Sequence, residues 1–298
     1  MILYILYRIG LFLALTLPIR VSYALACVLA DIFYYISRRD RRAVINNLTM
    51  VLGPSAGDRA IAMMAKDVFR NFAKYLIDFF RSQKIDKDYL KQNVKVEGSG
   101  NIDDALAMGK GVIMLSGHIG NWELGAFVTS MIGYPINAVV LTHKNKRIND
   151  FFTSQRLMGN MKPIELGASL KSCYRALRNN ELLALLGDRD FTKNGISVDF
   201  FGKRTMMPKG PATFSYRLGS PIVPAFLVRE PDNTFRYFME KPIISAPGLD
   251  EETAVRELTA RCSSAIEACV KKYPTQWFVF RNMWNNDDKE SLRPDTII

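Results

Sequence analysis

The stretch that decides the fold is Gly111-Val-Ile-Met-Leu-Ser-Gly-His-Ile-Gly-Asn-Trp-Glu-Leu-Gly125. Val112 to Leu115 is a short, partly β-branched apolar run, the pattern of a buried strand, and it leaves through Ser116-Gly117 into His118. From Asn121 the period changes: Trp122, Leu124, Ala126, Phe127 and Val128 fit a helix, with Asn121 as N-cap and Gly120 allowing the tight entry. His118 therefore lies at a strand end and Glu123 on the first helical turn. On one continuous helix, side chains five residues apart diverge by about 140°, so the two meet only across a strand-to-helix turn. There the carboxylate folds back onto one imidazole nitrogen, which fixes the tautomer and makes the other nitrogen a better base toward an alcohol. The carboxyl end of a strand is also where open α/β sheets bind their ligands.

Outward from this point the rhythm is strand, helix, strand, helix. Ile136 to Leu141 reads as a strand and is followed by a basic patch, His143, Lys144, Lys146 and Arg147, and by a helix that carries Arg156 and reaches Leu157. Ser169 to Leu177 reads as a helix and Leu182 to Leu186 as a strand entering Gly187-Asp-Arg-Asp190. Lys95 to Gly98, Ala225 to Val228 and Thr234 to Met239 add strands; Ile102 to Met108 and Val255 to Cys269 add helices. Upstream, Ile61, Met64, Val68, Phe72, Leu76 and Phe79 recur at three- and four-residue steps and mark an amphipathic helix over 59–81. The sum is an α/β protein with a covered, mixed and mainly parallel sheet.

The ends differ in character. Residues 1–36 carry only Arg8, Arg20 and Asp31 as charges and are broken at Pro18-Ile19-Arg20. A span needs about 20 apolar residues, so the segment reads as one kinked span or two interfacial helices, with a helical hairpin packed on a soluble body as the alternative. Hydrophobicity resumes from Val21 to Ile36, which disfavours a removable signal peptide. Arg38-Arg39-Asp40-Arg41-Arg42 follows directly, a cluster favoured on the cytoplasmic side of a membrane. The expected organisation is a membrane-anchoring segment over 1–42 and a catalytic domain over 43–298. The chain's 298 residues suffice for a large core, and a formal charge of +11 calls for an anionic partner. Cys27, Cys173, Cys262 and Cys269 have neither zinc nor disulfide spacing, so no metal is expected.

Gly-His-Ile-Gly-Asn-Trp-Glu123 resembles the His-x4-Asp/Glu signature of the lysophospholipid acyltransferase superfamily, and its longer form is most similar to the late lipid A acyltransferases, the lauroyl and myristoyl transferases. Gly187-Asp-Arg-Asp-Phe191, Ile196 to Gly202, Lys209 to Ser215, Pro221, Pro224 and Pro274-Thr-Gln-Trp277 continue the likeness, with Val279 where an aromatic residue is expected. The resemblance implies a glycerol-3-phosphate acyltransferase-like fold and acyl transfer from acyl carrier protein or coenzyme A to a hydroxyl of a lipid A-type glycolipid, without a resident cofactor. The enzyme would sit at the inner membrane with its catalytic domain on the cytoplasmic face. It implies His118 as general base and Glu123 as its orienting carboxylate. Asn121, Trp122, Arg156, Asp188, Arg189, Asp190, Arg204 and Lys209 make up the expected substrate-binding set. Arg189 could take a phosphate or carboxylate, or pair with Asp188 or Asp190; Arg204 and Lys209 are phosphate candidates or surface residues. Amides of the 117–121 turn or Arg156 would face the developing oxyanion. Acceptors within the same superfamily, a lysophospholipid or a phosphatidylinositol mannoside, stay open, as does a non-catalytic lipid-binding protein. Nucleic acid is not expected as a partner.

Overall fold

The computed structural model describes residues 2–53, 55–158, 161–166, 170–191 and 194–284. Ser169, where the helix read as far as Leu177 begins, lies outside these, as does Lys193, one of the basic residues expected to face an acidic donor. Four helices come first: α1 (Ile2–Thr16), α2 (Ile19–Ile36), α3 (Arg38–Leu52) and α4 (Asp58–Phe80). Pro18 separates α1 from α2, as a residue with fixed φ and no N–H can open a helix but not continue one. The Arg38 to Arg42 cluster is the first turns of α3, which begins after Ser37, whose hydroxyl donates to Asp40 at 2.7 Å.

These helices dock on the amphipathic α4. Ala30 and Tyr34 of α2 and Val44 and Leu48 of α3 share a core with Val68 and Phe69 of α4. Arg70 of α4 holds Asp31 of α2 with two hydrogen bonds of 2.7 and 2.8 Å. The opposite face of α2 is apolar but exposed, with Val28, Leu29, Ile32 and Ile36 each more than half accessible. A soluble surface helix has its polar face outward, and this inversion fits a lipid environment. Among the described residues α2 is the one helix long and apolar enough to cross a membrane.

The remaining elements are α5 (Lys87–Asn93), β1 (Val94–Glu97), α6 (Gly100–Leu106), β2 (Val112–Ser116), α7 (Trp122–Met131), β3 (Ile136–Val140), α8 (Lys146–Leu157), β4 (Lys162–Glu165), α9 (Leu170–Arg178), β5 (Leu182–Leu186), β6 (Ile196–Phe200), β7 (Lys203–Met207), α10 (Gly210–Leu218), β8 (Ile222–Arg229), β9 (Phe235–Met239) and α11 (Glu251–Lys272). Seven strands form one sheet in the order β1-β9-β8-β2-β5-β3-β4, parallel except for β8–β9. Central β2 and β5 are continuous apolar runs because helices cover both of their faces. One core layer lies toward α6 and α7 and a second toward α9, α10 and α11.

Phe200-Phe201-Gly202 ends the Ile196 to Gly202 segment as a turn. It closes a separate antiparallel hairpin, β6–β7, through Phe201 and Gly202 at φ of 53° and 73°, the two positive values that a tight two-residue hairpin turn requires.

Candidate active site

Two adjacent parallel strands deliver the central pair. In the β2–β5 register Ser116 lies opposite Leu186, and each strand then continues through one glycine, Gly117 or Gly187, into a polar residue. His118 and Asp188 consequently emerge level with each other. His118 Nδ1 is 2.7 Å from Asp188 Oδ1, and the His118 amide donates to Asp188 Oδ2 at 2.8 Å. A Cβ on Gly117 would come within 3.1 Å of Asp188 Oδ2, so a glycine there allows the two loops to close. Trp277 Nε1 also donates to Oδ2, at 3.0 Å.

Both groups are buried, and burial acts on them in opposite senses. It works to raise the Asp188 carboxyl, but the interaction with His118 and the donors around it prevail and hold the group at about 2. Burial pushes the His118 imidazole below its ordinary value, against the pull of Asp188. A neutral imidazole beside an ionised carboxylate is the form that can accept a proton. With Nδ1 taken by Asp188, Nε2 is the nitrogen left for chemistry.

This corrects the expected role of Glu123. Its carboxylate does not close on the His118 ring; it lies on the first turn of α7 facing α8, where Arg156 clasps it with contacts of 2.6, 3.0 and 3.2 Å. The pair is nearly buried, and burial would lower the Arg156 pKa if Glu123 did not outweigh it and raise it. The orienting carboxylate is Asp188, which sequence reading had placed among the substrate contacts. The available signal was the repeated pattern of apolar strand, glycine and polar residue in both segments.

The turn between His118 and α7 is clamped on several sides. The Gly120 amide donates to the Gln276 carbonyl at 2.9 Å and the Asn121 amide to the Leu227 carbonyl at 2.7 Å. Gly120 has φ of 64°, and a Cβ there would fall 2.0 Å from the Leu227 oxygen, a position only glycine can fill. With the His118 amide on Asp188, three of the turn's amides are committed. They cannot serve as the expected oxyanion donors. Asn121 caps α7 by accepting from the Leu124 amide at 3.0 Å, and its side-chain amide donates to Asp78 Oδ2 at 3.0 Å.

Asp78 was not visible as a functional residue in sequence. It is buried in α4, accepts from Tyr23 of α2 at 2.5 Å, and forms an ion pair with Arg229 at the end of β8. Arg229 also donates to the Tyr23 hydroxyl at 3.1 Å. Burial raises the Asp78 carboxyl, countered by Arg229, Tyr23 and Asn121.

A cavity of about 900 Å³ opens at His118. Trp122 lines it, stacked on Tyr75 at 4.5 Å and edge-on to His118 at 5.2 Å. Glu123, Arg156, Arg189, Asp190 and Lys209 line it too. Arg189 lies over the Phe191 ring at 4.7 Å with its buried Nε unpartnered among the described residues. Burial, with Arg281 second, lowers its pKa to about 10. Asp190 accepts from the Gly195 amide at 2.7 Å. Asn121 and Asp188 are buried in their own contacts, and Arg204 is exposed on the β6–β7 hairpin outside the cavity wall. Of the eight expected substrate contacts, five reach the cavity with His118 and Glu123, and three do not.

A buried histidine–carboxylate pair at the carboxyl edge of a mostly parallel sheet, opening on a large and mainly apolar cavity, has the geometry that a general base acting on a substrate with a hydrocarbon part requires. Residues 1–286 match the bacterial lipid A biosynthesis acyltransferase family, and the chain belongs to it; it is an acyltransferase. The chain is similar to the phosphatidylinositol mannoside acyltransferase of Mycobacterium tuberculosis strain H37Rv, 26% identical over 254 residues that cover 83% of this chain and 78% of that protein. The protein of the same description from Mycolicibacterium smegmatis is 25% identical, over 83% of this chain and 80% of its own. A lipid A biosynthesis acyltransferase of Haemophilus influenzae is 26% identical, over 69% of this chain and 64% of its own.

Proposed function

We propose that this acyltransferase moves a fatty acyl group from the thioester of acyl carrier protein, or of coenzyme A, to a hydroxyl of a lipid A-type glycolipid. It works at the cytoplasmic face of the inner membrane, with the apolar face of α2 in the lipid. The observation that carries this reading is the His118–Asp188 pair at the mouth of the cavity. His118 Nε2 takes the proton of the acceptor hydroxyl as its oxygen attacks the thioester carbonyl. The negative charge of Asp188 stabilises the imidazolium. When the tetrahedral intermediate collapses, the C–S bond breaks and the proton passes from the imidazolium to the departing sulfur. The products are an ester and a free thiol.

With the His118, Gly120 and Asn121 amides committed, the side chains of Arg156 and Arg189, which both line the cavity, are the oxyanion donors in this mechanism. Glu123 aims Arg156 rather than His118. Lys209 and Arg189, whose buried Nε has no partner among the described residues, suit the phosphate of an anionic substrate. A mannosylated inositol lipid is the second reading of the acceptor, favoured by the names of two relatives aligned over 83% of the chain.

Lipid mass spectrometry of otherwise identical cells with and without the chain tests the proposal. One added fatty acyl ester on a glycolipid is expected. A mass change confined to glycerophospholipids, or no change, would reject it.

A further inference from the structure

The cavity does not stay on one side of the sheet. Consecutive residues of a strand face opposite sides, yet Met114 and Leu115 both line it, as do Ala138 and Val139, and Ala184 and Leu185. Their packing follows that alternation. Met114, Ala138 and Ala184 belong to the core layer beneath α7, whereas Leu115, Val139 and Leu185 belong to the layer beneath α9 and α10. The space therefore straddles the carboxyl edge of the sheet at His118 and descends on both faces as two branches.

The branch under α7 is floored by one methionine and two alanines. Met114 is paired in register with Ala184, and Ala184 with Ala138, so the three lie side by side across β2, β5 and β3. The facing helix contributes Gly125 and Ala126. The branch on the opposite face is walled by Leu115, Val139, Leu185, Cys173 of α9 and Phe214 of α10, and Tyr174, Thr213 and Arg217 of the same helices also line the cavity. Leu166 and Leu170 also line it and are themselves exposed, Leu170 at 71%.

One extended chain starting at His118 can follow only one of these paths. Resting on the acyl-transfer reading above, we infer that the branch under α7 holds the donor's acyl chain and that the branch between α9 and α10 holds a hydrocarbon chain carried by the acceptor. The acceptor's hydroxyl thus reaches His118 from the sheet face opposite the donor chain. Wall chemistry supports the division. A pantetheine arm lying along Leu115, Val139, Leu185 and Phe214 would strip two amides of water, an unfavourable exchange, whereas an aliphatic chain gains from every methylene it buries there. The exposed Leu170 offers an apolar entry for such a chain.

Binding can be read without turnover, by native mass spectrometry of the full chain in amphipol titrated with lauric acid. Two equivalents per wild-type chain are expected. Cys173→Phe and Val139→Phe fill the α9–α10 branch from the helix and sheet sides and should each leave one equivalent, as should Ala184→Leu from the α7 side. Thermal melting identifies folded variants. A single equivalent on the wild type, or two retained by both phenylalanine variants, overturns the second branch.

Kinetics then assign the chain, with n-alkyl glucosides of increasing length as acceptors. KM should fall about fourfold per added methylene until the branch is full. Cys173→Phe should flatten this series and leave the donor-chain series unchanged. Flattening of the donor series instead would reverse the assignment and refute the proposal. Absence of all transfer would count against the acyl-transfer reading while the binding stoichiometry stood, so the two failures are separable.

Discussion

In the proposed mechanism the protonation state of His118 decides the rate. Burial lowers the imidazole pKa, with Asp188 as the opposing influence, so the neutral base survives to lower pH than an ordinary histidine near 6.5 would allow. Activity is expected to fall as pH drops through that depressed pKa, placing the acid limb of kcat/KM below about 6.5. Asp188→Asn removes the charge that holds the pKa up, so the limb should move to still lower pH. The same change removes the partner that fixes the tautomer, and kcat should drop by about 10²- to 10⁴-fold. A pH–rate profile of both proteins checks the sign, and a limb displaced upward would contradict the account. Glu123→Gln separates the two carboxylates. It should weaken the grip on Arg156 and lower kcat without moving the limb, whereas a displaced limb would return Glu123 to the imidazole.

Sequence gave His118 its place because a strand, a glycine turn and a helix leave local signatures. It misplaced the partner because the His118–Asp188 contact spans 70 residues. Only the lateral order of strands places β5 beside β2. Local proximity favoured Glu123, and strand register overruled it.

At the level of elements, α2 and α4 share a polar core as well as an apolar one. Tyr23, Asp78, Arg229 and Asn121 join the first helices, β8 and the cap of α7 in one buried network. Asp78→Ala would leave Arg229 buried without its carboxylate and is expected to cost about 3–5 kcal/mol. Tyr23→Phe removes one hydrogen bond and should cost about 1 kcal/mol. Denaturant unfolding in neutral detergent measures both, and equal costs would show that the ion pair is not the dominant interaction. The outward face of α2 carries a different expectation. Leu25→Glu with Leu29→Glu alters exposed positions and should shift protein from the membrane to the soluble fraction while leaving the melt nearly unchanged. Unchanged partitioning would remove α2 as the anchor. The alternation of apolar and interrupted segments made α1 and α2 legible, and the 3.6-residue stripe made α4 legible. Short β4 and the β6–β7 hairpin were not, since a four-residue edge strand and a two-residue turn leave little periodicity to read.

Over the whole molecule, charge bears on the donor. Lys144, Lys146, Arg147, Arg175, Arg178, Lys203 and Arg204 are all exposed, and the net charge of +11 suits an acidic protein donor better than a compact set of phosphates. Raising salt from low values to 0.15 M shortens the screening length to about 8 Å. The acyl carrier protein reaction should then slow more than the coenzyme A reaction, with the acceptor in neutral micelles. Better use of acyl-coenzyme A at both salts would reject the carrier protein.

The central claim is that His118 is the general base of an acyl transfer. It is tested most directly with purified protein, an acyl thioester and a lipid A-type glycolipid, following thiol release and the mass of the ester together. The account predicts stoichiometric thiol and ester from the wild type, and a loss of about 10²-fold or more in both from a folded His118→Ala variant. Ester formation by that variant at a rate near the wild type would contradict it.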